Sequence, residues 1–461
     1  MKITIHGGKD EIGGNKILVE HENTSIFLDF GMSFKQAGRY FSEFLQPRKC
    51  SGLKDFLELG LLPDIKGLYR EDYLKHMGKK PEKRSVDGIF LSHAHADHAQ
   101  YIHFLREDIP IYCSEATKII LEALETTGVG GFTDFVTKCE AFKFYTNTKG
   151  NLSRVTRATK GNYVKDRPFV VMKPYEKVKV GDMEIQMVPV DHSLPGACGF
   201  IVFTDEGNIS YTGDIRFHGD HPELSKKFVE LSTKAKPKYL IIEGTRMNSE
   251  KDKSEAEVEK EISSYMSKTK GLVFVEHPIR DIDRVNSILK AAKENKRELA
   301  VSMKMAYLIE RLGKLSPFNL DDVKIFVPKE SWGLIDKDVD DKLVEGDYPG
   351  WKKEYFNRKN CITYKDLKKN PSKYAVSINL FTVNQLIDIE PSSEAIWIKS
   401  SCEPFCLEME LDEERKQNWL EHYGIKQYQA HASGHMNGVE RKKMIMEIKP
   451  KEVVGVHWEV K

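Results

Sequence analysis

The sequence predicts an α/β protein built from more than one packing unit. The chain has 461 residues, about three times the ~150 usual for a single domain. Its first half is a series of short apolar runs, several of which end in Asp, Glu or His. From about residue 250, apolar runs alternate with segments of helical spacing, the pattern of a parallel sheet with crossover helices.

Taken in order, Ile17–Glu20 and Ser25–Asp29 read as early strands, and Gly13-Gly14-Asn15 supplies turn chemistry before the first. Gly88-Ile-Phe-Leu-Ser92 is a buried strand with a polar tip. Ile209–Asp214 and Tyr239–Glu243 repeat the form of an apolar run followed by an acid. Ser254 with Glu257 predicts a capping box at the start of a helix. Strands at 271–276, 298–302, 374–378 and 395–399 then alternate with helix, as in Ile282, Val285, Ile288, Leu289 and Ala292, so a parallel unit is expected over roughly 250–405. The tail is a helix from Glu440 and then a strand, Lys451–His457. Residues 35–85 and 130–180 fit neither half and are read as insertions.

Composition excludes several classes. Hydrophobic residues make up 40% and charged residues 31%, the balance of a globular protein. No apolar run approaches the ~18–20 residues that cross a bilayer, and the N-terminus shows no signal-peptide core. Lys plus Arg number 71 against 70 acids, so a globally basic nucleic-acid coat is excluded. The seven cysteines, only Cys402 and Cys406 of them close, read as reduced, buried thiols of a cytoplasmic protein. A local basic run, with Lys143, Lys149, Arg154, Arg157, Lys160, Lys165 and Arg167, is either a phosphate contact or a solvated face. Phe142, Phe144, Tyr145 and Tyr163 beside it stack on bases or anchor the insertion.

The sharpest signal is His93-Ala-His95-Ala-Asp97-His98, directly after a strand. Imidazole nitrogens and a carboxylate suit a borderline cation such as zinc, and this many ligands on one turn can serve two adjacent ions. Asp191-His192, Asp214 and His457 end other strands. Together these residues supply two metals and leave a water or hydroxide to attack phosphorus or carbonyl carbon. His218-Gly-Asp220-His221 imitates a ligand cluster but is read as a loop or substrate edge, and His277 and Arg280 are read as facing the cleft.

Asp29, His93-x-His95-x-Asp97-His98, His192 and Asp214, in that order, resemble the metallo-β-lactamase fold. Past Asp214 the chain resembles the β-CASP nucleases, through Glu243, His435 in His431-Ala-Ser-Gly-His435, and His457. Asp191-His-Ser-Leu-Pro-Gly-Ala-Cys-Gly-Phe200 followed by Thr212-Gly-Asp214 is similar to ribonuclease J in particular. The resemblance implies a metallo-β-lactamase αββα sandwich, 1–248 and 409–461, with an inserted β-CASP parallel α/β domain at 249–408. It implies one metal on His93, His95 and His192, and a second on Asp97, His98 and His457, with Asp214 bridging; zinc is expected, with manganese as the alternative. Asp97 and Asp214 thereby join His435 and Glu243 as catalytic groups, with His435 as general acid and Glu243 orienting it. His431 and Ser433 would lie near a substrate phosphate, and Asp29 would support the metal loop.

The implied activity is hydrolysis of single-stranded RNA, as 5′-to-3′ exonuclease, endonuclease or both. The histidine at 457 favours RNA over DNA. A DNA nuclease, a hydrolase of small esters and an inactive scaffold are the competing readings. The sequence stops four residues after His457, from which a short form lacking the C-terminal domain of bacterial ribonuclease J is expected, with homodimerisation left open.

Overall fold

The computed structural model describes residues 1–42, 44–48, 51–128, 136–155, 164–348, 350–404 and 407–458. Two six-stranded sheets face each other. In the first, Lys2–Gly7, Lys16–His21 and Thr24–Phe30 run antiparallel, and Gly88–Phe90, Ile111–Cys113 and Phe169–Val171 continue parallel. In the second, Lys177–Val180, Met183–Pro189, Cys198–Phe203 and Ile209–Tyr211 are antiparallel; Tyr239–Glu243 and Glu452–Val456 then add in parallel. Alternation along the strands explains the layering, because residues two apart share a face. Ile17, Val19, Ile26 and Leu28 of one sheet meet Ile185, Met187, Phe200 and Val202 of the other in a single core. The intervening residues face outward: Val188, Ile201, Leu240 and Ile242 pack under helices Pro222–Ala235 and Gly438–Ile448. The outer face of the first sheet carries helix Glu115–Thr127. The result is an αββα sandwich of the metallo-β-lactamase type.

A third, seven-stranded sheet is parallel throughout, its strands running from Val273–Glu276 to Lys426–Gln429. Helix Glu255–Ser267 opens on the expected capping box, with Ser254 and Glu257 each bonded to the other's backbone. The last strand, Lys426–Gln429, lies past residue 408, so this sheet runs further along the chain than the sequence pattern indicates. Its residues Lys-Gln-Tyr-Gln are half-buried or exposed, as an edge strand permits, and carry no apolar run to reveal them. The outer core of the first sheet and one face of the parallel sheet form one continuous cluster. No helix among the described residues is long and apolar enough to cross a membrane.

Candidate metal centre

The strand Gly88–Phe90 leads into the turn that bears His93, His95, Asp97 and His98. That turn is clamped by backbone. Gly14 and Asn15 amides both donate to the Asp97 carbonyl at 3.0 Å, and the Met32 amide donates to the Ala96 carbonyl. The approach is so close that a Cβ on Gly31 would lie 1.7 Å from the Asp97 carbonyl oxygen. Beneath the turn, Asp29 is fully buried and in the left-handed region at φ +58°. Its carboxylate accepts from the Ser92 amide and hydroxyl at 2.7 Å, from His98 Nδ1 at 2.8 Å and from the Tyr211 hydroxyl at 2.5 Å.

Four of the histidines are oriented by what their Nδ1 atoms meet. His98 Nδ1–H donates to Asp29, and His192 Nδ1–H donates to the Gly434 carbonyl at 2.5 Å. Ser92 spends its hydroxyl hydrogen on Asp29, so it accepts from His93 Nδ1–H at 2.9 Å. Thr245 donates to the His457 carbonyl and accepts from His457 Nδ1–H at 2.7 Å. In each ring Nε2 is left with its lone pair facing inward, the arrangement in which an outer hydrogen bond fixes a metal-binding tautomer. His95 instead points Nδ1 inward, 3.1 Å from His93 Nε2 and 3.3 Å from His192 Nε2.

These lone pairs converge on one carboxylate. Asp214 Oδ2 lies 3.6 Å from His93 Nε2, 3.3 Å from His98 Nε2, 3.7 Å from His192 Nε2 and 3.8 Å from His457 Nε2. His457 Nε2 is also 3.0 Å from Asp97 Oδ2. Asp214 Oδ1 and His98 Nε2 are buried and make no hydrogen bond among the described residues. Imidazole and carboxylate groups crowded this way could hold a divalent cation between them. Three overlapping groups of potential ligands result among the described residues, His93–His95–His192–Asp214, Asp97–His98–His457 and Asp214–Glu243–His435–His457, with Asp214 adjoining all three.

Electrostatics separate the rings. Burial holds His93 and His192 well below the usual imidazole value and His95 at about 3, so these rings are neutral. Burial opposes a charge on His98 too, but Asp214, Asp29 and Asp97 outweigh it and raise that ring. Burial alone would raise the carboxyls of Asp97 and Asp214, yet the surrounding histidines hold both low. His435 stands beside the group, its Nδ1 3.1 Å from Glu243 Oε2 and 3.8 Å from Asp214 Oδ2. Burial works against its charge, while Glu243 and then Asp214 overcome it and lift the ring to about 9.

The loop 431–435 is held from beneath. Arg284, fully buried, donates to Ser400, the Ala432 carbonyl and His431 Nδ1, and pairs with Glu255. Arg216 reaches the Ser433 carbonyl at 3.4 Å and pairs with Asp191. Ser433 Oγ is largely buried and accepts from the His435 amide, so its acceptor role serves the loop itself. His431 is likewise engaged, and burial lowers it to about 3.

Other expectations sort differently. Arg167 is buried and donates to the carbonyls of Leu105, Arg106 and His103, so it is structural and not a phosphate contact. Lys165 is exposed beside Glu107. Phe142 is buried edge-on to Tyr73 and anchors the insertion, whereas Phe144 and Tyr145 are exposed. Arg157, Lys160 and Tyr163 lie outside the described residues, as do Cys50 and Cys406. Cys113, Cys139 and Cys198 are buried thiols as expected, but Cys402 is exposed. His277 is bonded to Ser377 within the parallel unit, while Arg280 sits close enough for Asp97 to act on its charge. Tyr211, Ser92, Thr245, Arg216 and Arg284 are supports that the sequence pattern did not single out. Ser92 and Thr245 carry the only local signal, each being a hydroxyl within two residues of a chemically marked position.

Residues 63–253 match the family profile of the Beta-lactamase superfamily domain. The fold is that of the metallo-β-lactamase class. Within that class the chain is similar to ribonuclease J. It is 24% identical to ribonuclease J 2 of Streptococcus pyogenes over 72% of this chain and 50% of that one. It is 27% identical to ribonuclease J of Pyrococcus abyssi over 56% of this chain and 48% of that one. With ribonuclease J of Mycoplasma genitalium the likeness is 22%, over all of this chain and 68% of the other. The chain thus spans about half the length of the first two of these relatives. Among solved structures, a protein of unknown function from Enterococcus faecalis shares the fold, with a TM-score of 0.72 and 21% identity, covering 99% of this chain and 93% of that one.

Proposed function

We propose that this protein is a metal-dependent ribonuclease that hydrolyses phosphodiester bonds of single-stranded RNA. The observation that carries the reading is Asp214 Oδ2, which faces two histidine groups at once with the His435–Glu243 pair alongside. In it, His93, His95 and His192 would hold one divalent ion, Asp97, His98 and His457 would hold a second, and Asp214 would serve both. Zinc is the first candidate and manganese the alternative. Such ions, when bound, supply Lewis-acid stabilisation of the phosphodiester and acidify water at the site. The chain's own residues supply the rest. His435 carries a proton at neutral pH because Glu243 and Asp214 outweigh its burial, and it delivers that proton to the leaving oxygen. Glu243 fixes the ring through the 3.1 Å contact at Nδ1. Asp29 fixes His98, and Arg284 and Arg216 fix the loop that carries His435. Likeness to ribonuclease J supports RNA as the substrate.

The test is a single-stranded RNA with a 5′ monophosphate and a 3′ label, followed in zinc or manganese. A ladder shrinking from the 5′ side identifies an exonuclease; discrete early internal products identify an endonuclease. His95→Ala and Asp97→Ala should each abolish cleavage in a folded chain, and activity retained in either refutes the two-ion mechanism. Preferential cleavage of a single-stranded DNA competitor would move the substrate to DNA.

A further inference from the structure

A second set of potential ligands lies outside this centre. His218 follows Asp214 in a loop, Asp252 sits on the segment before helix Glu255–Ser267, and Glu440 is in the first turn of helix Gly438–Ile448. One donor atom from each lies within 4.8 Å of the others. Sequence spacing gives no hint of the trio, since its members come from three separate segments.

Two of the atoms are orphans. His218 Nε2–H donates to the Ser433 carbonyl at 3.0 Å, which leaves Nδ1 as a bare lone pair. That atom is buried, has no hydrogen-bond partner among the described residues, and lies 3.6 Å from Glu440 Oε2, beyond hydrogen-bond reach. Asp252 has only 3% of its side chain exposed. Its Oδ1 pairs with Arg246 at 2.7 Å, but its Oδ2 is buried without a partner. Glu440 Oε2 accepts from the Asn437 amide at 3.1 Å, and Arg246 occupies the far oxygen of Asp252, but no donor reaches His218 Nδ1 or Asp252 Oδ2 among the described residues. Natural structures rarely leave such groups unpaired.

We propose that His218, Asp252 and Glu440 form a separate divalent-cation site. The mixed nitrogen and oxygen donors suit zinc or manganese, with water completing the coordination. Its place in the fold gives it a task. His218 holds the Ser433 carbonyl, so an ion on Nδ1 fixes the ring that braces the loop bearing His435. The site is thus a strut between that loop, the helix at Gly438 and the entry to the parallel unit. It does not depend on the ribonuclease reading.

The experiment is a metal count on the full chain, stripped with chelator and dialysed against zinc. Asp252→Asn and Glu440→Gln remove one ligand each while keeping shape, and Gln still serves the helix cap with Asn437. Wild type is expected to hold one ion per chain more than either variant. Equal counts in all three overturn the proposal and leave an ordinary histidine–carboxylate contact. Circular dichroism confirms the fold of each variant, and if one fails to fold the other decides.

Discussion

Asp29→Asn changes one oxygen to an amide beneath the metal turn. The carboxylate receives four donors, and an amide cannot serve them all. With the amide nitrogen at the Oδ1 place it meets the Ser92 amide, 2.7 Å away, donor against donor. In the reverse orientation it opposes the Ser92 hydroxyl, His98 Nδ1–H and Tyr211. Either way a buried donor goes unpaired, which costs about 1–3 kcal/mol of stability. His98 also loses the charge that orients it. Loss of such an outer partner lowers metal affinity about 10- to 100-fold, or about 1.4–2.7 kcal/mol. Zinc titration of the stripped protein by equilibrium dialysis measures the second effect, and thermal unfolding of the metal-free form measures the first. Unchanged affinity and an unchanged melting temperature would show that Asp29 does not orient His98.

Three further outcomes are expected. His435→Ala should slow cleavage by about 10²–10⁴-fold with metal content intact; loss of metal together with activity would make His435 a ligand. Gly31→Ala places a methyl against the Asp97 carbonyl, so chemical denaturation should report a loss of about 1–3 kcal/mol and metal binding should weaken. Burial lifts Asp281 to about 7, with Arg284 opposing and Glu255 adding; the folded chain therefore keeps a proton that the unfolded chain has lost above the ordinary carboxyl value. Stability should fall as pH rises toward about 7 and then level off, and Asp281→Asn should flatten part of that slope, Asp283 contributing in the same direction. An equal slope in the variant refutes the assignment.

The proposed ligands were legible because they follow strands, and strand tips at the parallel edge of a sheet gather in space. The His93–His98 turn needs only local spacing to be recognised. Asp29, His192, Asp214, Glu243, His435 and His457 became readable only as an ordered set. Their supports were not legible, since Tyr211, Arg216 and Arg284 act across separations of 116 to 217 residues and look like ordinary core or surface types. Arg167 was misjudged for a related reason: a run of like charge says nothing of which member turns inward. The edge strand Lys426–Gln429 escaped because a half-exposed strand needs no apolar alternation. His218 was read as part of a loop or substrate edge, and its proposed partners Asp252 and Glu440 were not legible because the fold alone assembles them.

The ring of His457 meets the carboxylate of Asp97 from a position 360 residues further along the chain. The strand that delivers it pairs with Tyr239–Glu243, and most of the chain between them is the parallel unit. During synthesis, at about 5–20 residues per second, the growing polypeptide therefore carries half a centre for most of its time on the ribosome. On the proposed function, the second ligand group stays incomplete until the strand Glu452–Val456 is in place.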